Sequence, residues 1–366
     1  MQYRGTYIRV DLRAIAANTA ILRRVTLPAP HMLAVVKANA YGHGLVQVAK
    51  TALQNGADWL GVAIPEEGER LREAGVEAPI LVLGAVNERG AEASVRNRLT
   101  QAVFDPARVG MLEEAAARLG MTADMHLKCD TGMGRIGVRT EHELRAVLNA
   151  LKEAPHVRLT GAFTHFADAD GDSDAYSLRQ IDAFNRLTAL LPKGLLIHAA
   201  ASAASLRYPQ ARYGMTRQGI SLYGCAPMPE APELKPALSW HTEIVYVKDL
   251  PAGACVSYGC TFKARKDMRV ATLPVGYGDG YPRILSNRAS VLVCGRRAPL
   301  VGRVCMDMVM ADVTDIPEVS LDDEVVLLGA QGDERITPDE LAELAQTIPY
   351  EIMLGFGARI PVQVID

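Results

Sequence analysis

Short apolar segments alternate with amphipathic helical stretches along the first two-thirds of the chain. The apolar segments are bounded by polar residues, glycine or proline, which is typical of buried parallel strands. Helix-start signals separate them: Asp11 can cap a helix, Pro65 precedes two glutamates, and Thr140 and Glu143 have capping-box spacing. Strands are predicted at residues 33–36, 59–62, 80–83, 102–104, 123–127, 159–163, 195–197 and 216–220. Eight strand–helix units predict an α/β fold of the (β/α)8 TIM-barrel type.

The pattern changes after a proline-rich segment at residues 227–236. Alternating strands then dominate, and one helix is expected at about residues 339–346, after Pro338. We therefore predict a barrel domain at residues 9–230 and a mostly β C-terminal domain at residues 231–366, which also includes residues 1–8. The strands predicted in this second domain are residues 243–248, 269–273, 290–293, 308–313 and 324–328.

Composition narrows the class of protein. The chain has 366 residues, of which 49% are hydrophobic and 22% charged, and its formal net charge is −3. These values fit a folded protein and exclude a basic nucleic-acid binder. The start of the chain has no apolar region typical of a secretory signal, and no uncharged segment is long enough to span a bilayer. Six cysteines without a Cys-x-x-Cys pair, and no metal-ligand spacing, indicate a cytoplasmic protein without a metal.

Polar residues follow the predicted barrel strands at their carboxyl ends, where barrel enzymes carry their chemistry. Lys37 follows the first strand, Arg135 the fifth, His165 the sixth and Ser202 the seventh, and Arg217 lies on the eighth. The loops after the last two strands are also where barrels often hold phosphate. An amine, several cations and a phosphate site on one rim indicate an anionic carbonyl cofactor.

Two other motifs favour less specific interpretations. Residues 132–137 match the dinucleotide pattern G-x-G-x-x-G, but the helix there is expected only after Thr140. Asp168, Asp170, Asp172 and Asp174 alternate as in a calcium loop, yet Arg179 stands where the bidentate glutamate should be. We therefore interpret the first as a loop without a nucleotide and the second as a solvated acidic loop.

Six segments resemble the alanine racemase family, and they span both predicted domains. Residues 34–44 read AVVKANAYGHG, which is similar to the family's cofactor-lysine motif. The resemblance implies a pyridoxal 5'-phosphate barrel followed by a β domain, acting as a head-to-tail homodimer with shared active sites. The other segments are HLKCDTGMGRIG at 126–137, THFA at 164–167, VSYG at 256–259, GYGDG at 276–280 and GRVCMD at 302–307.

The resemblance implies that the protein interconverts L-alanine and D-alanine, which supplies peptidoglycan synthesis. Lys37 would hold the cofactor as an aldimine and act as the base on one face of the substrate. Tyr258, supplied by the other subunit, would be the base on the opposite face. A tyrosine has an ordinary pKa of about 10, and nearby cations such as Arg135 would favour its phenolate. Mildly alkaline conditions are therefore expected to suit the reaction.

The same resemblance assigns the surrounding residues. Arg217 would face the pyridine nitrogen, and His165 would lie against the cofactor ring. Arg135 would contact the cofactor and the substrate carboxylate, which the backbone of Met306 would also hold, and Lys128 matches a position that some members carbamylate. The residues implied around the phosphate are Tyr41, Ser202, Gly219, Ile220 and Tyr350. The residues implied along the substrate channel are Asp170, Tyr277, Arg283 and Arg303.

One position departs from the family pattern, and several activities stay open. Members usually read His-x-Ala-Asn-Ser-Ala-Ala after the seventh strand, whereas this chain has Ala201 in place of the asparagine. The alternatives are a serine or broad-specificity amino-acid racemase, an amino-acid decarboxylase, and a non-enzymatic pyridoxal phosphate carrier. Carriers of that kind resemble a lone barrel, and the Lys37 motif with Tyr258 matches the racemase pattern better than the decarboxylase pattern.

Overall fold

The computed structural model describes residues 4–366, which form two compact units. One unit is Ile15–Lys235, and the other joins residues 4–14 with Pro236–Asp366. The domain bounds expected from the sequence, 9–230 and 231–366 with 1–8, stay a prediction, and residues 1–3 of that assignment lie outside the described residues. Strand β1 (Tyr7–Asp11) runs directly into helix α1 (Leu12–Val25). Asp11 Oδ1 accepts a hydrogen bond from the Arg13 amide at 2.9 Å, so the predicted cap is present.

The unit Ile15–Lys235 is built on eight parallel strands. They are β2 (His31–Val35), β3 (Trp59–Val62), β4 (Ile80–Val82), β5 (Thr100–Val103), β6 (Ala123–Lys128), β7 (Val157–Phe163), β8 (Leu196–His198) and β9 (Met215–Gln218). Their order is β8-β7-β6-β5-β4-β3-β2-β9, with β2 and β9 paired in parallel. The amides of Gly214 and Arg217 donate to the carbonyls of Ile197 (3.0 Å) and Ala200 (2.9 Å). These bonds connect the first and last strands of the order, and the predicted barrel is confirmed.

Helices follow the barrel strands, as the sequence predicts. Thr140 and Glu143 form both hydrogen bonds of a capping box at the start of one helix, and Pro65 and Pro106 begin two others. Leu127, on β6, and Phe184 are fully buried in the same apolar cluster between strands and helices. The segments are α2 (Lys37–Tyr41), α3 (Leu45–Gln54), α4 (Pro65–Glu73), α5 (Glu88–Arg96), α6 (Pro106–Leu119), α7 (Glu141–Lys152), α8 (Ala175–Thr188) and α9 (Ser202–Arg207).

The second unit is mostly β, as predicted. Its strands are β10 (Leu238–Glu243), β11 (Tyr246–Leu250), β12 (Cys255–Val256), β13 (Phe262–Lys263), β14 (Met268–Leu273), β15 (Ser290–Val293), β16 (Arg296–Pro299), β17 (Val309–Asp312), β18 (Glu324–Gln331), β19 (Glu334–Ile336) and β20 (Val362–Ile365). Its helices are α10 (Pro338–Ala345) and α11 (Pro349–Leu354). The main sheet has the order β16-β15-β18-β10-β1-β20, a second sheet has the order β11-β14-β17, and β12 and β13 form a hairpin.

One predicted strand, 243–248, is wrong, because the chain changes sheets inside it. The Ile244 amide donates to the Asp323 carbonyl at 3.1 Å, whereas the Val245 amide donates to the Thr272 carbonyl at 3.0 Å. β10 therefore ends in the main sheet and β11 begins in the second one. Among residues 4–366, no helix combines the length and the apolar character needed to cross a membrane.

Candidate active site

Lys37 lies two residues after the end of β2, where the chain makes a left-handed helical turn. Residues 38–41 all have φ between 52° and 54°. None of them is glycine, and this conformation costs an L-residue about 1–2 kcal/mol. The Ala40 amide donates to the Val36 carbonyl at 2.8 Å, which ties the turn to the end of the strand. Backbone strain of this kind is typical of functional sites. The turn after Lys37 therefore indicates a functional site at the carboxyl end of the barrel strands.

A glutamate that sequence reasoning missed holds the turn in place. Glu67, in α4, is buried and accepts hydrogen bonds from the amides of Ala38 (2.5 Å) and Ala63 (2.8 Å). On the other side, Asn39 Oδ1 accepts from the Leu45 amide at 3.0 Å. The turn is thus fixed by side chains from two directions. In the sequence Glu67 looks like an ordinary acidic residue in the first turn of a helix, so no pattern distinguishes it.

Two lysines on this rim have amines that lose their protons more readily than free lysine. Burial, together with the positive charge of Arg135, lowers the pKa of Lys37, and Glu67 opposes the shift. Burial, with the charge of Arg217 next, lowers the pKa of Lys128 to about 7. The Lys128 Nζ donates to the Cys129 carbonyl at 2.8 Å. The amine of Lys128 can therefore be neutral, and nucleophilic, close to pH 7. The amine of Lys37 is shifted in the same direction.

Arg217, on β9, is almost completely buried and is held from several sides. Its Nη2 donates to the carbonyls of Thr164 (2.8 Å) and Ala199 (2.7 Å) and lies 3.2 Å from Nδ1 of His165. Burial and the charge of Arg135 lower the pKa of Arg217 to about 9, so the guanidinium still keeps its charge at neutral pH. The pKa of His165 lies well below its usual value because of burial and the charge of Arg217. His165 is therefore a neutral ring beside a fixed cation.

Gly219 leaves an open cradle at the end of β9. A side-chain carbon added at Gly219 would lie 3.1 Å from the hydroxyl oxygen of Tyr41 and 3.9 Å from that of Ser202. Ser202 Oγ accepts a hydrogen bond from the Gly219 amide at 3.0 Å. Ile220, the next residue, is buried. Backbone and hydroxyl groups can thus approach one small anion here, because glycine has no side chain to exclude it.

The second unit presents Tyr258 on an exposed turn. Tyr258 is 70% exposed and lies between Ser257 (φ 62°) and Gly259 (φ 71°), both in the left-handed region. Ser257 Oγ donates to the Arg303 carbonyl at 2.7 Å, and the Arg303 guanidinium would lie 3.4 Å from a carbon added at Gly259. The turn that carries Tyr258 is therefore joined to the loop that follows β16.

Met306 lies further along that loop, which a buried carboxylate supports. The amide of Gly278 donates to the Met306 carbonyl at 2.8 Å. Asp279, next in the chain, is fully buried and forms ion pairs with Arg4 and Arg359, each at 2.7 Å. No sequence pattern indicates this group of charges, because the three residues are far apart in the chain. The group fixes the backbone on which the side chains of Met306 and Tyr277 are exposed.

The predicted site residues fall into two groups, one in each unit. The barrel rim carries Lys37, Tyr41, Lys128, Arg135, His165, Ser202, Arg217, Gly219 and Ile220. The second unit carries Tyr258, Tyr277, Arg283, Arg303, Met306 and Tyr350. Asp170 lies in an exposed loop before α8. In the G-x-G-x-x-G segment, the amides of Gly132 and Gly134 both donate to Asp130 Oδ1 at 3.0 Å. These two amides are therefore occupied by the carboxylate that precedes the segment, and the segment is a loop, as predicted.

A parallel barrel with a shielded amine, a buried arginine and an open glycine cradle at its strand ends defines the class of (β/α)8 barrel enzymes. The family models "Alanine racemase, N-terminal domain" and "Alanine racemase, C-terminal domain" match residues 10–227 and 237–364. The chain therefore belongs to the alanine racemase family, a family of isomerases.

Individual relatives agree with this assignment. The alanine racemase of Symbiobacterium thermophilum is 47% identical, with 98% of this chain and 96% of the relative covered. The crystal structure of alanine racemase from Bacillus anthracis with bound L-Ala-P has a TM-score of 0.92 and 38% identity, covering 100% of this chain and 96% of that one. The histidine racemase of Leuconostoc mesenteroides has a TM-score of 0.91 and 32% identity, covering 100% and 99%. The fold therefore also occurs in a racemase of a larger amino acid.

Proposed function

We propose that this protein is an alanine racemase that interconverts L-alanine and D-alanine with pyridoxal 5'-phosphate bound at Lys37. The observation that carries the proposal is the position of Lys37. Its amine has a lowered pKa and lies on the rim that also holds the buried cation Arg217. In a chain of this family, that pair fits a carbonyl cofactor: the amine of Lys37 would hold its carbonyl group, and Arg217 would face its ring nitrogen.

The rim residues fit the cofactor by their chemistry. The cradle at Gly219, with the hydroxyls of Tyr41 and Ser202, would hold the phosphate, together with the backbone of Ile220 and the hydroxyl of Tyr350. When bound, pyridoxal 5'-phosphate supplies the electron withdrawal that acidifies the α-proton of an amino acid.

Arg217 and His165 would hold the cofactor ring. Among residues 4–366, the Arg217 guanidinium directs only its Nη groups to protein partners, which leaves Nε for the ring nitrogen. Guanidinium does not give up its proton readily, so a nitrogen facing it stays a hydrogen-bond acceptor. The neutral ring of His165 would pack against the cofactor without adding a second charge.

Two bases would move the proton between the faces of the substrate. Lys37 would accept the proton on one face, because its lowered pKa favours the neutral amine. Tyr258 would return a proton on the opposite face. Arg135 and the backbone amide of Met306 would hold the substrate carboxylate, which fixes the α-carbon between the two bases.

A homodimer would bring Tyr258 of one subunit to the barrel rim of its partner. The second unit exposes several large apolar side chains on the turn of Tyr258 and on the segments that carry Met306 and Tyr277. Exposed apolar surface of this kind is typical of protein–protein contacts when it forms one patch. These side chains are Tyr258 (70% exposed), Met306 (53%), Met308 (47%), Ile284 (43%) and Tyr277 (42%). We propose a head-to-tail arrangement that covers this surface and completes two shared sites.

The remaining predicted residues would act at the edge of the site. Lys128, with its pKa of about 7, would react with carbon dioxide as the neutral amine, and the carbamate would orient Arg135. Asp170, Tyr277, Arg283 and Arg303 would line the substrate channel. The protein would act in the cytoplasm, and its D-alanine would supply peptidoglycan synthesis.

A racemase assay with competing substrates tests the proposal. Purified protein would be supplied with pyridoxal 5'-phosphate and given L-alanine, L-serine or L-histidine separately, and each D-isomer would be measured by chiral chromatography. We expect the highest kcat/KM for alanine and no product with Lys37→Ala. Serine is the second candidate, and histidine is included because of the histidine racemase among the structural relatives. Higher kcat/KM for serine or histidine, or carbon dioxide release from any of the three, would overturn the assignment.

A further inference from the structure

Two exposed cysteines lie on either side of Tyr258. Cys255 is in β12, and Cys260 is the last residue of the short 3-10 turn Tyr258–Cys260. Both thiols are free and exposed, whereas Cys129 and Cys225 are buried. Apart from Tyr258, residues 256–259 between them are a serine, a glycine and a valine. The proposed catalytic tyrosine therefore lies inside a short loop that begins and ends with a thiol.

The fold places these two thiols in one hairpin. β12 pairs with β13, and in this pairing Cys255 is opposite Lys263 and Val256 is opposite Phe262. Cys260 lies in the connection of this hairpin, four residues after Val256, so the turn folds it back towards the strand that carries Cys255. The neighbouring Cys255 thiol raises the pKa of Cys260, and the charge of Lys263 opposes the shift. Two exposed thiols held in one short hairpin can be joined by a disulfide once their sulfur atoms approach to bonding distance.

We propose that Cys255 and Cys260 are a dithiol site that peroxide oxidises to an intramolecular disulfide, which reversibly switches off Tyr258. The proposal rests on the proposed function only in assigning Tyr258 a part in the reaction. The disulfide itself depends on the hairpin and on the two thiols. The third exposed cysteine among the described residues, Cys294, lies in a different hairpin, directly after β15.

The chemistry balances with hydrogen peroxide as the oxidant. The thiolate of one cysteine attacks a peroxide oxygen, the O–O bond breaks, and a sulfenic acid and hydroxide form. The second thiol then attacks the sulfenic sulfur, so that the S–S bond forms and water leaves. Two thiols are oxidised, and one peroxide is reduced to two molecules of water in all. A dithiol reductant reverses the change by thiol–disulfide exchange.

The disulfide would act on Tyr258 because the enclosed backbone has little freedom to adjust. Ser257, Gly259 and Cys260 already have φ of 62°, 71° and 45°, and Ser257 is anchored to the Arg303 carbonyl. Pulling the two sulfur atoms to bonding distance must therefore turn the residues between the anchor and Cys260. Tyr258 lies in that interval, and a catalytic group displaced by about 1 Å can lose up to 100-fold in rate.

The test treats the fully reduced full-length protein with hydrogen peroxide and measures two quantities. Intact mass and peptide mapping report the bond between Cys255 and Cys260, and the racemisation rate reports Tyr258. We expect the loss of two hydrogen atoms, at a rate that increases with pH because the thiolate attacks. We expect a fall in kcat of about tenfold or more, and recovery of both mass and rate with dithiothreitol.

Matched variants separate this site from general oxidation. Cys255→Ser and Cys260→Ser should each prevent the mass change and keep the peroxide-treated enzyme active. Cys294→Ser removes another exposed thiol, in the hairpin connection after β15, and should leave the wild-type response unchanged. Failure of the mapped disulfide to form, or a mapped disulfide with unchanged racemisation, would overturn the inference. Absence of racemisation in the reduced protein would instead overturn the proposed function, and the mass measurement would still report on the thiol pair.

Discussion

Nη1 of Arg217 lies 2.9 Å from Nδ1 of His198. A guanidinium has only donors, so Nδ1 of His198 accepts and its hydrogen is on Nε2. That Nε2 lies 2.9 Å from Nδ1 of His126, which must accept in turn. The arginine therefore sets the tautomer of two successive buried histidines, and both must be neutral for the chain of hydrogen bonds to form. Burial and the charge of Arg217 lower the pKa of both rings, to about 3 for His126.

The buried neutral histidines predict a loss of stability in mild acid. Each has a pKa below its value of about 6.5 in the unfolded chain, so the unfolded state binds more protons as the pH falls. The stabilisation is complete above pH 6.5 and is lost progressively towards the lowered pKa, which is about 4 for His43 and about 3 for His126. Between about pH 7.5 and 5, each such histidine should cost about 2 kcal/mol of unfolding free energy.

Urea unfolding at these two pH values measures the effect. His126→Gln should reduce the difference between the two pH values by about 2 kcal/mol, whatever its effect on stability at pH 7.5. His142→Gln, at an exposed position in α7, is the matched control and should leave the difference unchanged. Equal stability of the wild type at both pH values would contradict the neutral histidine chain.

A methyl group at Gly219 should weaken cofactor binding while leaving the fold intact. Its carbon would lie 3.1 Å from the Tyr41 hydroxyl and would fill the proposed phosphate cradle. We expect Gly219→Ala to raise the Kd for pyridoxal 5'-phosphate about tenfold or more, which corresponds to about 1.4 kcal/mol. Gly110→Ala is the control, since a carbon there in α6 meets no atom within 4 Å. Titration of the apo-protein of each variant, followed by cofactor absorbance, measures the two Kd values. Equal Kd values for the two variants would contradict a phosphate site at Gly219.

The lowered pKa of Lys128 predicts that it carries a carbamate. Only a neutral amine adds carbon dioxide, and a pKa of about 7 leaves much of Lys128 neutral at mildly alkaline pH. We expect a carbamate signal in ¹³C NMR after addition of labelled bicarbonate, and a signal that weakens as the pH falls below 7. Lys128→Arg should abolish the signal, and Lys50→Arg, at an exposed position in α3, should retain it. A signal that persists in Lys128→Arg would assign the carbamate elsewhere.

Much of the barrel could be predicted because its strands are short apolar segments with clear boundaries. Trp59–Val62 was predicted with the bounds observed, and the capping box at Thr140 fixed the start of α7. The second unit was harder. Strands as short as β12 and β13, at two residues each, leave no readable alternation. The change of sheet at Ile244 also depends on partners in Asp323 and Thr272, which are distant in the sequence.

The site residues that the sequence predicts either follow a barrel strand or belong to a family motif. The residues that hold the backbone of the site in place could not be predicted. Glu67 acts through backbone amides, and Asp279 through Arg4 and Arg359, so their partners are visible only in three dimensions. The role of His198 could not be predicted either, because no spacing in the sequence indicates which ring nitrogen faces an arginine.

The alanine at position 201, where the family has asparagine, removes a side-chain cap from helix α9. It is the N-cap residue of α9, with φ −90° and ψ −168°, and its methyl group cannot accept a hydrogen bond from the helix. Asparagine at an N-cap stabilises a helix by about 1 kcal/mol relative to alanine. We therefore expect Ala201→Asn to raise the unfolding free energy by about that amount, whereas Ala203→Asn, inside the same helix, should not. Thermal and urea unfolding of the three proteins would show no gain for Ala201→Asn if the cap were not formed.

The central claim is that two bases on opposite faces, Lys37 and Tyr258, invert the substrate. The most direct test is Tyr258→Phe, loaded with pyridoxal 5'-phosphate, in deuterium oxide with L-alanine and D-alanine separately. Tyr246→Phe, an exposed tyrosine on β11, is the control. We predict that Tyr258→Phe loses inversion but still exchanges the α-proton of one enantiomer only, through Lys37, while Tyr246→Phe behaves as the wild type. Inversion by Tyr258→Phe at the wild-type rate, or equal exchange of both enantiomers, would contradict the account.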